Sequence, residues 1–216
     1  MTRVSGDHMK PSKMLVQAIK EKNLQLVQKL LKTNLVTIKN TDYARGWSSL
    51  FFTAINNDVN MAEFLLRKGH EDEGISRDLE GDTIPIVCVR NSAINVLKVY
   101  LKSFPQSLNL QNNQGETALM AACKLKNHTV LTVILQFSPQ IHLKDKKGNT
   151  ALHYAFAWGN LSSIQILLKE NADPFVKNKK GFRPIDYAYS FDLQEFILDE
   201  MNSVTDLTKA DSLVSI

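Results

Sequence analysis

The chain has 216 residues, 44% of them hydrophobic, 22% charged and 8% aromatic, with a formal net charge of +4. That is enough for one large domain or two small ones with a core, and it excludes wholesale disorder. Cys88 and Cys123 stand 35 residues apart, which excludes a disulfide scaffold and a four-cysteine zinc site, and no uncharged apolar run is long enough to span a bilayer. The opening MTRVSGDHMKPSK has no apolar stretch of the kind a secretory signal needs. The chain therefore reads as soluble and intracellular, with residues 1–9 outside the fold as disordered or appended sequence.

In chain order, LVQAIKEKNLQLVQKLL (15–31) predicts a first pair of short helices. Five glycines then open turns at Gly46, Gly81, Gly115, Gly148 and Gly181, spaced by 35, 34, 33 and 33 residues. Each begins a similar stretch: GWSSLFFTA, GDTIPIVCV, GETALMAAC, GNTALHYAF and GFRPIDYAY. A second apolar run follows each: MAEFLL, VLKVYL, LTVILQF, IQILL and FILDEM. One small-residue column runs through all of them, at Ala18, Thr53, Cys88, Ala122, Ala155 and Ala188. Each unit reads as turn, short helix, two-residue break and second helix. The unit around TALHYAFAW breaks at Gly159-Asn160, resumes as SSIQILLKEN and ends at Asn171-Ala172-Asp173-Pro174. A hairpin of two short helices cannot bury its apolar stripe alone, so neighbours must stack.

The period of about 33 residues, with Thr150-Ala151-Leu152-His153-Tyr154-Ala155 beside a T-P-L-H-x-A signature, resembles the ankyrin-repeat family. Ala151 replaces the signature's proline, and Asn171-Ala172-Asp173 stands where the family has G-A-D. The resemblance covers roughly residues 14–201 and implies an all-α solenoid of about six stacked helix-turn-helix units with β-turn tips. The repeat domain is placed at 10–202: an N-terminal cap at 10–41, units at 42–76, 77–110, 111–143 and 144–176, and a C-terminal cap at 177–202. Residues 203–216 form a flexible tail.

No catalytic or metal centre is legible. The histidines (His8, His70, His128, His142 and His153) lie at no metal-ligand spacing. His153 is read as structural, His70 as a solvated helix cap, and the Glu71-Asp72-Glu73 run as a solvated loop. Cys88 and Cys123 are read as buried and inert. Phosphate-binding and nucleophile-elbow motifs are absent. The chain is expected not to be an enzyme and to need no cofactor.

Function in a solenoid resides on the concave face, made by the turn tips and the exposed side of each first helix. Trp158, Phe182 and Phe191 fall on that track beside Lys146, Lys147, Lys179 and Lys180. Large aromatics with flanking cations are residue types that anchor protein interfaces. Trp47 is a second candidate, and one of Phe51 and Phe52 is expected to face the core. Residues 102–183 carry eleven Lys/Arg against four Asp/Glu, whereas 184–216 carry one against seven. Acidic ends and the lack of a nucleic-acid module argue against nucleic acid and for steering an acidic protein partner.

The runs GWSSLFFTA, FLLRKGHE and KGFRPIDYAYSF resemble the fungal ankyrin-repeat accessory subunits of TOR complex 2. That resemblance implies a scaffold or adaptor attached to a TOR-type kinase complex. It implies a cytoplasmic place, peripheral at the plasma membrane through the partner, with the nucleus still open. In that family a long Ser-rich tail follows the stack; here SVTDLTKADSLVSI follows. The alternative is a dedicated chaperone for a ribosomal or proteasomal subunit.

Units 42–76 and 77–110 lack the Thr/His pair that ties turns together. Amide exchange is therefore expected to be faster across 77–110 than across 144–176 in hydrogen-exchange mass spectrometry. Equal protection would remove the argument that the missing pair matters.

Overall fold

A computed structural model describes residues 10–33, 36–38, 44–125 and 128–188. The chain divides into two compact units, Met1–Ser107 and Leu108–Ile216. The first contains α1 (Pro11–Lys20) with α2 (Leu24–Lys32), α3 (Ser49–Asn56) with α4 (Val59–Arg67), and α5 (Ile84–Arg90) with α6 (Ile94–Ser103). The second contains α7 (Ala118–Cys123) with α8 (His128–Leu135), α9 (Ala151–Ala157) with α10 (Leu161–Lys169), and a 3-10 turn at Pro184–Tyr187. Another 3-10 turn, Pro105–Asn109, spans the division. The described residues include one isolated antiparallel bridge, Arg77 with Thr83, and no strand. The all-α expectation stands.

Six to ten residues is too short for a helix to persist alone in water, so packing must hold these elements. In the first unit α3 packs against α1 and α5, and α4 against α6; in the second, α9 packs against α7 and the closing 3-10 turn. The small-residue column explains how first helices approach one another. Ala18, Thr53 and Cys88 are fully buried in the first unit, as are Ala122 and Ala155 in the second, with Ala188 nearly so. A larger side chain at these positions would overpack the contact. Thr53 satisfies its hydroxyl by donating to the Leu50 carbonyl at 2.7 Å. Around the column, Leu50, Ile84, Leu97, Leu152 and Leu167 are buried, each stabilising by about 1.5–3 kcal/mol.

The break inside each pair has a repeated backbone solution. Lys22, Asn57, Ser92 and Gly159 occupy the same register position, and all four have positive φ, at 56°, 47°, 53° and 59°. The next residue caps the second helix: Asn23, Asp58 and Asn160 accept the backbone N–H of Leu26, Met61 and Ser163. Ala93, the corresponding residue before α6, has no oxygen to offer. Its place is taken by Asn57 from the preceding pair, whose Oδ1 accepts the Val96 N–H at 3.3 Å. A left-handed asparagine thus caps its neighbour's helix.

Three expectations need correction. Phe51 and Phe52 are both buried, because Trp47 stacks on one at 6.3 Å and meets the other edge-on at 5.7 Å. His70 is not a solvated cap; it is fully buried. Glu71 is not part of a solvated loop, being 4% exposed. Gly69 takes positive φ, and the His70 N–H returns to the Leu65 carbonyl, which turns the chain inward after α4. Glu71 then accepts from His70 Nδ1 (2.9 Å), the Ser76 N–H (2.8 Å) and the Tyr100 hydroxyl (2.9 Å). Burial alone would raise the Glu71 pKa, but the bonds from His70 and Ser76 outweigh it and hold the carboxyl below its ordinary value. Tyr100 is pushed far upward by burial and by Glu71, so it stays a donor.

The break position gives a prediction of opposite signs. Ser92→Gly should stabilise the protein by about 0.5–1 kcal/mol, since relieved left-handed strain exceeds glycine's entropic cost. Asn57→Gly should instead destabilise by about 1 kcal/mol, because α6 loses its cap. Urea denaturation of the two variants checks this; shifts of the same sign would sink the borrowed-cap argument.

Candidate functional site

The second unit's turns are closed by side-chain oxygens. Asp145 Oδ1 accepts the N–H groups of Lys147 (2.8 Å) and Asn149 (2.7 Å); Asn178 Oδ1 accepts those of Lys180 (2.9 Å) and Phe182 (3.1 Å). Successive turns are joined by Lys146 N–H to the Gln114 carbonyl and Lys179 N–H to the Lys147 carbonyl, both 3.0 Å. Gly148 is required between them: its φ is +82°, and a Cβ there would lie 2.8 Å from the Lys179 nitrogen. The four lysines are carried on this ladder with exposed side chains.

Beside the ladder, Trp158 ends α9 and is 48% exposed. Tyr154, one turn earlier on the same face, lies 5.9 Å from it. Lys124 places its ammonium 4.3 Å from the Tyr154 ring and 5.7 Å from Trp158, and pairs with Glu116 at 2.6 Å. The Tyr154 hydroxyl donates to Asp145 Oδ2 at 2.6 Å, and burial followed by Asp145 pushes its pKa well up. The result is a cleft of about 260 Å³ whose lining includes Lys147, Tyr154, Trp158, Lys180 and Tyr187.

The structure therefore brings Lys147, Lys180 and Trp158 around one cleft. Phe182, 49% exposed, sits edge-on to Tyr187 at 6.0 Å. Lys146 and Lys179 lie beside these residues in the turns, and Phe191 falls outside the described residues. Tyr154, Lys124 and Tyr187 were missed. Tyr154 was accessible from its four-residue offset to Trp158; the repeat register puts Lys124 at an outward position of the preceding pair but does not give its approach to these two rings.

Trp47 belongs to the first unit and is half-buried. Its Nε1 donates to Asp78 at 3.1 Å, and Arg45 covers its ring at 4.6 Å. A cleft of about 640 Å³ adjoins it, lined among others by Leu79, Asp82 and Arg90. Arg90 is paired there with Asp82, and it lies 3.9 Å from Glu80.

His153 ties two successive turns of the second unit together. Its Nδ1 accepts from the Thr150 N–H at 3.1 Å, which leaves Nε2 to donate to the Phe182 carbonyl at 3.2 Å. The structural reading of this histidine is correct. By contrast, the hydroxyls of Ser48, Ser49 and Thr83 are buried without a hydrogen-bond partner among the described residues. Among the described residues no group of three or more His, Cys, Asp or Glu is arranged to hold a metal. Cys88 and Cys123 are free and buried, and burial pushes both thiols far up.

Residues 15–104 and 86–178 match the family model described as ankyrin repeats (3 copies). The chain belongs to the ankyrin-repeat family. This ankyrin-repeat chain is also similar to the target of rapamycin complex 2 subunit AVO2 of Saccharomyces cerevisiae. The two are 27% identical over 125 residues, 58% of this chain and 29% of the relative. The chain thus spans less than a third of the length of the curated relative it matches. No described helix is long and apolar enough to cross a membrane.

Burial lowers the pKa of His153, with the bond to the Phe182 carbonyl opposing it. The folded protein therefore binds this proton less readily than the unfolded chain. The stabilisation is complete above the unfolded value of about 6.5 and is lost as pH falls below it. We predict that stability decreases between about pH 7.5 and 5.5, and that His153→Gln flattens this dependence. Identical pH profiles in thermal melts would show that His153 is not the group responsible.

Proposed function

We propose that this chain is a non-catalytic protein-interaction scaffold of six ankyrin units over 10–202, serving as an accessory subunit of a TOR-type kinase complex. Residues 10–41 and 177–202 are its caps, and it acts in the cytoplasm or at the plasma-membrane periphery through its partner. Ankyrin family membership supports the interaction role, and the likeness to AVO2 supports the kinase complex.

The observation that carries this reading is the half-exposure of Trp158 and Phe182 beside turn lysines whose backbone is fixed by hydrogen bonds. The exposed half of a tryptophan ring adds nothing to the core, whereas buried against a partner tryptophan is among the side chains enriched as interface anchors. The proposed partner surface comprises Lys146, Lys147, Trp158, Lys179, Lys180 and Phe182, with Phe191, outside the described residues, as a further candidate and Trp47 of the first unit as a separate one.

Affinity purification from the source cell, comparing the native chain with Trp158→Ala/Phe182→Ala, tests the assignment. A TOR kinase complex should be recovered with the native chain and lost with the variant, which keeps its thermal melt. Undiminished recovery by the folded variant would move the site elsewhere. A free ribosomal or proteasomal subunit as the stoichiometric partner would replace the kinase-complex reading with a chaperone.

A further inference from the structure

Resting on that reading, we propose that the cleft of the second unit takes an acidic segment of its protein partner. The segment carries an aromatic or aliphatic side chain flanked by carboxylates.

Charge comes first. Residues 102–183 have a net charge of +7, but the cations are not equivalent. Lys124 is held by Glu116 at 2.6 Å, and Arg183 by Asp186 at 2.8 Å. Lys146, Lys147, Lys179 and Lys180 make no ion pair with any described acid. The acid nearest Lys146 and Lys147 in sequence, Asp145, is turned inward. Its Oδ1 takes two backbone N–H groups, and its Oδ2 takes the Tyr154 hydroxyl and the Asn149 amide. The turn that displays the lysines thereby also withholds its own carboxylate from them. A partner bearing no negative charge would leave these cations uncompensated, and a basic one would be repelled.

The aromatic side of the cleft is already ordered. Tyr154 is fixed by Asp145, and Lys124 lies over both Tyr154 and Trp158. Binding there does not have to immobilise a free tryptophan, a cost that usually weakens association. The cleft is about 260 Å³, below the roughly 300–1,000 Å³ of small-molecule sites. It accommodates one or two side chains of a longer ligand, with acidic neighbours reaching Lys147 and Lys180.

The test uses the full chain against a random dodecapeptide display library. Enriched peptides should be acidic around one aromatic or aliphatic residue. The consensus peptide should lose about tenfold or more in affinity on Trp158→Ala, and severalfold on Lys147→Ala/Lys180→Ala. Its amide analogue, with Asn and Gln for Asp and Glu, should fail to bind. Binding should weaken as ionic strength rises from about 0.05 to about 0.3 M.

Neutral or basic consensus sequences, no enrichment, or equal binding of the amide analogue would each overturn the proposal. So would tighter binding of structured RNA or of anionic phosphatidylserine vesicles through the same lysines. Lys147→Glu/Lys180→Glu in the affinity purification separates this failure from failure of the scaffold reading. A partner kept by the charge-reversed chain but lost with Trp158→Ala/Phe182→Ala would sink the acidic segment alone. A partner kept by both variants would remove the groove altogether.

Discussion

One side-chain oxygen, repeated about every 33 residues, sets the register on which the rest of each unit depends. Asp78, Asn112, Asp145 and Asn178 each stand three residues before a turn glycine, and each Oδ1 accepts two N–H groups of its own turn. This folds the tip and frees the next N–H to point outward along the ladder. Within the first unit Leu79 uses that donor on Arg45; within the second, Lys146 uses it on Gln114 and Lys179 on Lys147. Side chains at these positions face solvent because the backbone beneath them is already committed. Lysines there are presented by the fold and contribute little to holding it.

Two polar arrangements then hold the repeats, and they differ in kind. His153 joins its own helix start to the following turn through one imidazole with its tautomer fixed. The first unit has Ser48, Ser49 and Thr83 where such a pair would begin, and it places its polar anchor elsewhere. Glu71, buried after α4, reaches Tyr100 on α6 and so links consecutive second helices. Losing one partner of a buried carboxylate costs more than a typical surface hydrogen bond, at about 1–3 kcal/mol. Together with the cap that Asn57 supplies to Val96, this anchors α6 despite the missing Thr/His pair. What stays without a polar tie at the start of 77–110 is the Thr83 hydroxyl, which has no hydrogen-bond partner among the described residues.

The periodic part of this molecule was legible because it depends on spacing. Glycines, the small-residue column and two apolar runs per unit gave the helix pairs with their breaks near the observed positions. His70 and Glu71 were misread because LLRKGHEDEG is polar by composition, and its burial depends on Tyr100, 29 residues away from Glu71. Phe52 was ambiguous for a similar reason: Trp47 shields a face that helical periodicity alone would expose. The Asx residues three before four of the five turn glycines were in plain view and carried a mechanism, an oxygen able to close its own turn. Of the candidate site, the lysines and Trp158 were legible as exposed positions. Tyr154, on the same helix face as that tryptophan, was within reach of its four-residue offset, whereas the contact of Lys124 with both rings emerges only when adjacent pairs are packed.

Register also explains why Trp158 differs from its counterparts in the first unit. Asn56 and Asn91 occupy the same place at the end of their first helices, and both are engaged with backbone. Asn56 donates to the carbonyls of Ile19 and Lys20, and Asn91 to that of Val87. At those positions the side chain closes a helix end or ties one pair to the previous one. The Trp158 side chain makes no hydrogen bond with any described residue, and the corresponding tie is made by Asn160, which donates to the Leu125 carbonyl. With that task moved two residues along, position 158 is released from a structural duty. The large ring at this position is left half in water, held by a tyrosine and a lysine that are themselves anchored by Asp145 and Glu116.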